Sequence, residues 1–139
     1  MTQTQQLREN IQRALDSSAL YRELAKTAPE QDTALLRELS ADELRHARAF
    51  QNAYTAMTGC SYTPKVNVIL PQGAYREVLL GQVQEICGDL RRYTQQTQTG
   101  CRNDQTQGAL LCAQQDKVVH ALRLLAMAAE GVQQQTEKE

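Results

Sequence analysis

Apolar residues recur along this chain at alternating steps of three and four, the spacing that lines them up on one face of an α-helix. The first run, Leu7, Ile11, Ala14, Ser18, Tyr21 and Ala25, predicts a helix from about Gln5 to about Thr27, stopped near Pro29. The second, Leu36, Leu39, Glu43, His46, Phe50, Ala53 and Met57, predicts a helix that opens near an Asp32 cap and closes at Gly59. A third, Leu79, Gln82, Ile86, Leu90 and Tyr93, runs from near Gly73 to about Thr97 and is broken by Gly100. The fourth, Leu110, Ala113, Lys117, His120, Leu124 and Met127, starts near Asn103 or Asp104 and fades around Gly131, which leaves 132–139 as a frayed polar tail.

Residues 59–73, GCSYTPKVNVILPQG, hold two prolines and a β-branched stretch and read as an extended connection. Helices of roughly 23 to 28 residues make a bundle of order 40 Å tall, and about 15 extended residues reach about 50 Å. A segment that long is better used travelling the bundle height than lying at one end. The expected fold is therefore all-α: one domain over 1–139, a four-helix bundle of two antiparallel hairpins joined by a long crossover.

Polar residues interrupt the core stripes at matching places. Glu43 and His46 are members of the second stripe, and Lys117 and His120 repeat the i,i+3 spacing in the fourth. A carboxylate in such a position needs a partner or a cation. Counted from the end of the bundle that the crossover topology gives them in common, Glu43, Glu85 and Lys117 lie about 14 to 15 residues up, roughly 21 to 23 Å. Residues Glu43, His46, Glu85, Lys117 and His120 are thus expected to converge at one level. Tyr21 and Tyr93, about 72 positions apart, are expected as core packers whose hydroxyls reach that layer. The stretches Asp42–Glu43–x–x–His46 and Asp116–Lys117–x–x–His120 stand about 74 apart, so the two hairpins read as diverged copies of one unit.

Composition narrows the function classes. A net charge of -1 offers no basic field for nucleic acid or anionic membranes, and with 4% aromatics and no Trp there is little for base stacking or membrane-interface belts. No apolar run approaches the roughly 20 residues of a membrane span, and the opening MTQTQQLREN lacks the apolar core of a secretory signal. A soluble, cytoplasmic protein is expected. Cys60, Cys87, Cys101 and Cys112 form no C-x-x-C pair, which removes zinc-ribbon and rubredoxin-type sites. Free thiols are expected, with Cys87 and Cys112 as small core residues. Cys60 and Cys101 fall at one end of the bundle, where they would pair only if their Cα atoms came within about 7 Å.

With ADELRHARAF and its D-E-x-x-H, YRELAKTAP before it, YTAMTGCSYTP after it and DKVVHALRL in the fourth helix, the chain resembles the rubrerythrin-like branch of the ferritin-like superfamily over nearly its whole length. The resemblance implies a di-iron or di-manganese centre fed by one Glu each from the first and third helices and an E-x-x-H from the second and fourth. Carried over position by position, Glu43, His46 and His120 match, and Glu85 stands for the third-helix ligand unless a one-residue slip puts Ile86 there. Lys117 replaces the second glutamate and Ala14 the first-helix ligand, while Asp16 lies about 200° round the helix from Ala14. An ammonium where a dication would sit predicts a buried Lys–Glu–His network, with Lys117 as a structural ion-pair partner.

Two functions are expected from this. One is a rubrerythrin-like protein with an incomplete iron or manganese centre held by Glu43, His46, Glu85 and His120, linked to redox or oxidative stress and served by an external redox partner. The other is a non-enzymatic bundle, dimeric by family analogy, that works through self-association or a protein partner.

Overall fold

The computed structural model describes residues 1–98 and 103–138, with side chains as far as residue 130. It consists of α1 (Gln3–Thr27), α2 (Glu30–Thr58), α3 (Tyr75–Gln98) and α4 (Asp104–Lys138), and no strand is present among the described residues. The fold is an all-α four-helix bundle.

Local chemistry sets the helix ends. Thr2 caps α1 reciprocally with Gln5, its hydroxyl accepting from the Gln5 N–H while the Gln5 side chain accepts from the Thr2 N–H. Pro29 ends α1 and also opens α2, since its fixed φ of -53° suits a helix start and its missing N–H is not needed there. Consequently α2 begins two residues before the expected Asp32, and Asp32 sits in the first turn instead of capping it. Gly59, at φ 76°, closes α2 in the left-handed region, its N–H reaching the Thr55 carbonyl. Asn103 opens α4 by accepting from the N–H groups of Gln105 and Thr106. Beyond Gly131 the backbone stays helical to Lys138, longer than the frayed tail expected from its polar composition. Gly100 and Cys101, and with them the breaking glycine and the Cys60–Cys101 pairing, lie outside the described residues.

Topology follows from which termini meet. The Tyr75 hydroxyl, at the start of α3, donates to Asp32 Oδ2 at the start of α2 over 2.8 Å. Those two helices therefore run parallel, and residues 59–74 must climb the whole bundle. On the way the strap is tied to α1: Gln12 Nε2 donates to the Lys65 carbonyl at 2.7 Å and the Asn67 N–H to Asp16 Oδ1 at 2.9 Å. Asp16 is thus spent on the strap. Antiparallel pairing is visible in Ser18 with Ser40, Asn10 with Gln96, and Gln114 with Thr94.

The core divides into two apolar blocks. One gathers Tyr21, Leu24, Leu36, Leu39, Leu79, Ile86 and Leu124, the other Leu7, Ile11, Phe50, Tyr93, Leu110 and Ala113. A layer of buried polar side chains lies between them. Cys87 and Cys112, expected in the core, are exposed, because each stands about 100° round its helix from the buried Ile86 and Ala113. Among the described residues no helix is long and apolar enough to cross a membrane.

Since the Tyr75–Asp32 bond joins the top of the strap to the helix it has left, Tyr75→Phe is expected to cost about 1 to 2 kcal/mol in urea denaturation with helix content by circular dichroism unchanged.

Candidate functional site

The polar layer is built around Lys117. Its side chain is 2% exposed, and its Nζ stands 2.8 Å from Asp89 Oδ2 and 3.0 Å from Glu43 Oε1. The Asp89 contact is a hydrogen bond, whereas the approach to Glu43 is an ion pair too oblique for one. Desolvation opposes charge on Lys117, but the fields of Glu43 and Asp89 outweigh it and raise its pKa above the ordinary lysine value. Burial likewise works against the Glu43 carboxylate, and Lys117 with the two histidines reverses that and lowers its pKa. For Asp89 burial is again the largest influence and again loses, to Lys117 first and then to Arg13 and Arg92.

Asp89 is the most fully satisfied member. Its Oδ2 accepts from Lys117, while Oδ1 accepts from Arg13 Nε and Arg92 Nη2, both at 3.0 Å. Arg13 also bridges to Glu85 at 3.1 Å. A cavity of about 260 Å³ between α1, α3 and the strap is lined by Arg13, Asp16, Gln82, Ile69 and Asp89, and it borders the outer side of this clamp.

The two histidines are held crosswise. His46 Nε2 meets Asp116 Oδ2 on α4 at 2.7 Å, and His120 Nε2 meets Asp42 Oδ2 on α2 at 2.9 Å. Each aspartate stands four residues before the histidine of its own helix and grips the histidine of the other, so the repeated motif becomes a local pseudo-two-fold clamp between α2 and α4. The rings lie 6.0 Å apart between centroids.

An ionised aspartate only accepts, so each imidazole donates through Nε2 and turns Nδ1 inward. The inward atoms face Glu43 Oε1 at 3.5 Å from His46 and 3.4 Å from His120. Neither Nδ1 and neither Glu43 oxygen has a hydrogen-bond partner. A lone pair on Nδ1 would oppose the carboxylate, whereas a proton there makes the contact attractive. Desolvation lowers the His46 pKa, yet its contacts with Glu43 and Asp116 more than compensate and raise it above the usual value. Tyr21 and Tyr93 lie buried on opposite sides of the layer. Burial pushes the Tyr93 hydroxyl up to about 12, partly offset by Lys117, and shifts Tyr21 in the same direction for the same reason.

Of the residues expected to converge, Glu43, His46, Lys117 and His120 do so, and Glu85 does not. The Glu85 side chain is 61% exposed and pairs with Arg13 at the surface. Ile86 takes the inward position on α3, packed at 1% exposure in the core. The third-helix carboxylate of the layer is Asp89, one turn further on. It fits the same alternation (Ile86, then three to Asp89, then four to Tyr93) as well as the adjacent Leu90 does, so the stripe alone does not choose between them. Apolar Ile86 is buried without cost, whereas a second buried glutamate there would need a cation of its own.

The side chains present do not fit the di-metal centre that the resemblance implies. Ala14 is buried and Ile86 inward, and neither carries a ligand atom. Lys117 holds a positive charge against the one glutamate on hand, and among the described residues no group of three or more His, Cys, Asp or Glu side chains is arranged to hold a metal ion.

Removing the ammonium strands two carboxylates. Lys117→Met is expected to cost about 3 to 5 kcal/mol in chemical denaturation, with part of the loss recovered when Glu43→Gln is added. The pH dependence has a defined sign. Glu43 and Asp89 titrate below their unfolded values, so their contribution is present above about pH 4 and is lost as the pH falls through the depressed folded values. His46 titrates above its unfolded value of about 6.5, so its contribution is full below that pH and lost as the pH rises through the raised folded value. Urea midpoints are therefore expected to peak between about pH 5 and 6.5, and His46→Gln is expected to flatten the alkaline side of that peak.

Compared with models of protein families, with curated proteins and with solved structures, the chain matches none.

Proposed function

We propose that this protein is a rubrerythrin-like member of the ferritin-like superfamily in which a lysine ammonium carries the charge that a di-metal centre carries in that family. In this reading it is a non-enzymatic bundle that works by associating with protein, a second copy of itself or another chain. The observation that carries the reading is Lys117, 2% exposed, with Nζ at 2.8 Å from Asp89 and 3.0 Å from Glu43. A buried ammonium between two carboxylates neutralises the cluster by itself, so a cation brought in beside it meets repulsion before it meets a ligand. Ala14 and Ile86 at two ligand positions of the resemblance support the same conclusion. We assign the protein to the cytoplasm, a compartment in which the exposed, free Cys60, Cys87 and Cys112 stay reduced.

The second reading is a centre that keeps iron or manganese at reduced stoichiometry and serves redox chemistry with an external partner. What favours it is the set of four inward atoms without hydrogen-bond partners: both Glu43 oxygens and Nδ1 of His46 and His120. Nitrogen and carboxylate oxygen of this kind suit those metals.

Elemental analysis after aerobic purification separates the two. Iron and manganese together are expected well below one ion per chain, and Lys117→Glu, which swaps the ammonium for a carboxylate, is expected to raise metal content. Two ions per chain in the unmodified protein would defeat the first reading.

A further inference from the structure

The cavity of about 260 Å³ between α1, α3 and the strap extends along α3 from Gln82 to Asp89, about two helical turns or 10 Å. The antiparallel register that joins Asn10 to Gln96 and Arg13 to Asp89 brings Leu20 of α1 level with Gln82. Gln82 is 7% exposed, on the inward face of α3 with the buried Leu79 and Ile86. Its side chain lines the cavity, and its amide has no hydrogen-bond partner among the described residues. A buried amide in that state is costly unless something inside the cavity answers it.

We infer that this cavity is a binding site for a small uncharged molecule that joins an apolar ring to an amide edge. Volume sets the size: a cavity of about 150 Å³ holds benzene, so this one holds about ten non-hydrogen atoms. Gln82 sets the edge, because it offers an acceptor oxygen and an NH2 donor side by side. A carboxamide or lactam answers both, whereas a carboxylate leaves the oxygen unanswered and an amidinium leaves the NH2 unanswered. The lining excludes charge. Arg13, its cation, is held by Asp89 at 2.9 Å and Glu85 at 3.1 Å, so an anionic head would have to break those pairs and face Asp16 as well. A cationic head would meet Arg13 itself. Leu20 on α1, with Val68, Ile69 and Pro71 on the strap, supplies the apolar walls for the ring.

The strap fits this use. It is tied to α1 at Lys65 and Asn67 and to α2 at Tyr75, and residues 68–73 between those ties make no hydrogen bond among the described residues. Val68 and Ile69 line the cavity and yet stay 39% and 86% exposed. A ring seated against Leu20 covers part of both, which the folded chain alone does not do. The site goes beyond the proposed function and does not rest on it, since Gln82 and the strap make no contact with the inward atoms of Glu43, His46 and His120.

The test is a heteronuclear NMR titration of the full chain with benzamide to about 20 mM, a range spanning the roughly millimolar dissociation expected of a ligand this small. The side-chain NH2 of Gln82 and the backbone N–H groups of Ser17, Leu20 and Ile69 are expected to shift together. Benzoate and benzamidine, charged isosteres of the same shape, are expected to bind at least about fivefold more weakly. Gln82→Leu, which keeps the volume and removes the edge, is expected to weaken benzamide about tenfold with the circular dichroism spectrum unchanged. The inference is overturned by no shift at about 20 mM, by shifts confined to other surfaces, by a charged isostere that binds as tightly as benzamide, or by a folded Gln82→Leu chain that binds like the parent. If that variant does not fold, the Gln82 NH2 signal of the unmodified chain decides the matter. Metal content is read separately, so failure here leaves the reading of Lys117 as it stands, and the reverse holds too.

Discussion

A lysine ammonium at the centre of a helical core is costly to desolvate, several kcal/mol before any partner is counted, and the rest of this bundle is arranged around meeting that demand. Lys117 on α4 takes Glu43 from α2 and Asp89 from α3, so a single charge ties three helices at one height. The remaining helix, α1, joins through Arg13, which shares Asp89 with Lys117 and Arg92. A shift of any of these helices would separate the ammonium from the carboxylates it has, so the cost of burying it favours the observed alignment.

Around that charge the repeated D-x-x-x-H segments of α2 and α4 act as a reciprocal brace. Asp42 holds His120 and Asp116 holds His46, which fixes both ring orientations and directs both Nδ1 atoms at Glu43. A carboxylate on the far ring nitrogen is the arrangement by which proteins orient histidine ligands for metals. Here the same brace surrounds an ammonium, and the inward atoms face a carboxylate already committed to it. That likeness of the brace is what motivates the proposed charge-substituted reading.

Inside and outside are inverted on α4. Its inner face carries the buried cation, and its outer face exposes Leu111, Val118, Val119, Leu122 and Leu125. The inner face is covered by α2 and α3, where Lys117 meets Glu43 and Asp89.

The sequence by itself determined the elements and most of the layer. Period-3.6 stripes placed four helices, Pro29 and Gly59 marked their ends, and the length of the 59–73 segment implied a crossover, because these are local properties that the chain has before it folds. Glu43, His46, Lys117 and His120 were legible for the same reason, as polar residues standing inside apolar stripes. Tertiary structure decided what depends on which neighbour arrives. Asp89 and Leu90 fit the third stripe equally well, and only the proximity of Lys117, Arg13 and Arg92 selects the aspartate for burial. Glu85 turns outward because Ile86 fills the core without needing a cation. Cys87 and Cys112 emerge at the surface because a residue one step from a buried position turns about 100° away from it. The cross-helix pairing of Asp42 with His120 and Asp116 with His46 needed the antiparallel contact of α2 with α4, since a hydrogen bond between residues 70 or more apart follows from packing, not from local spacing.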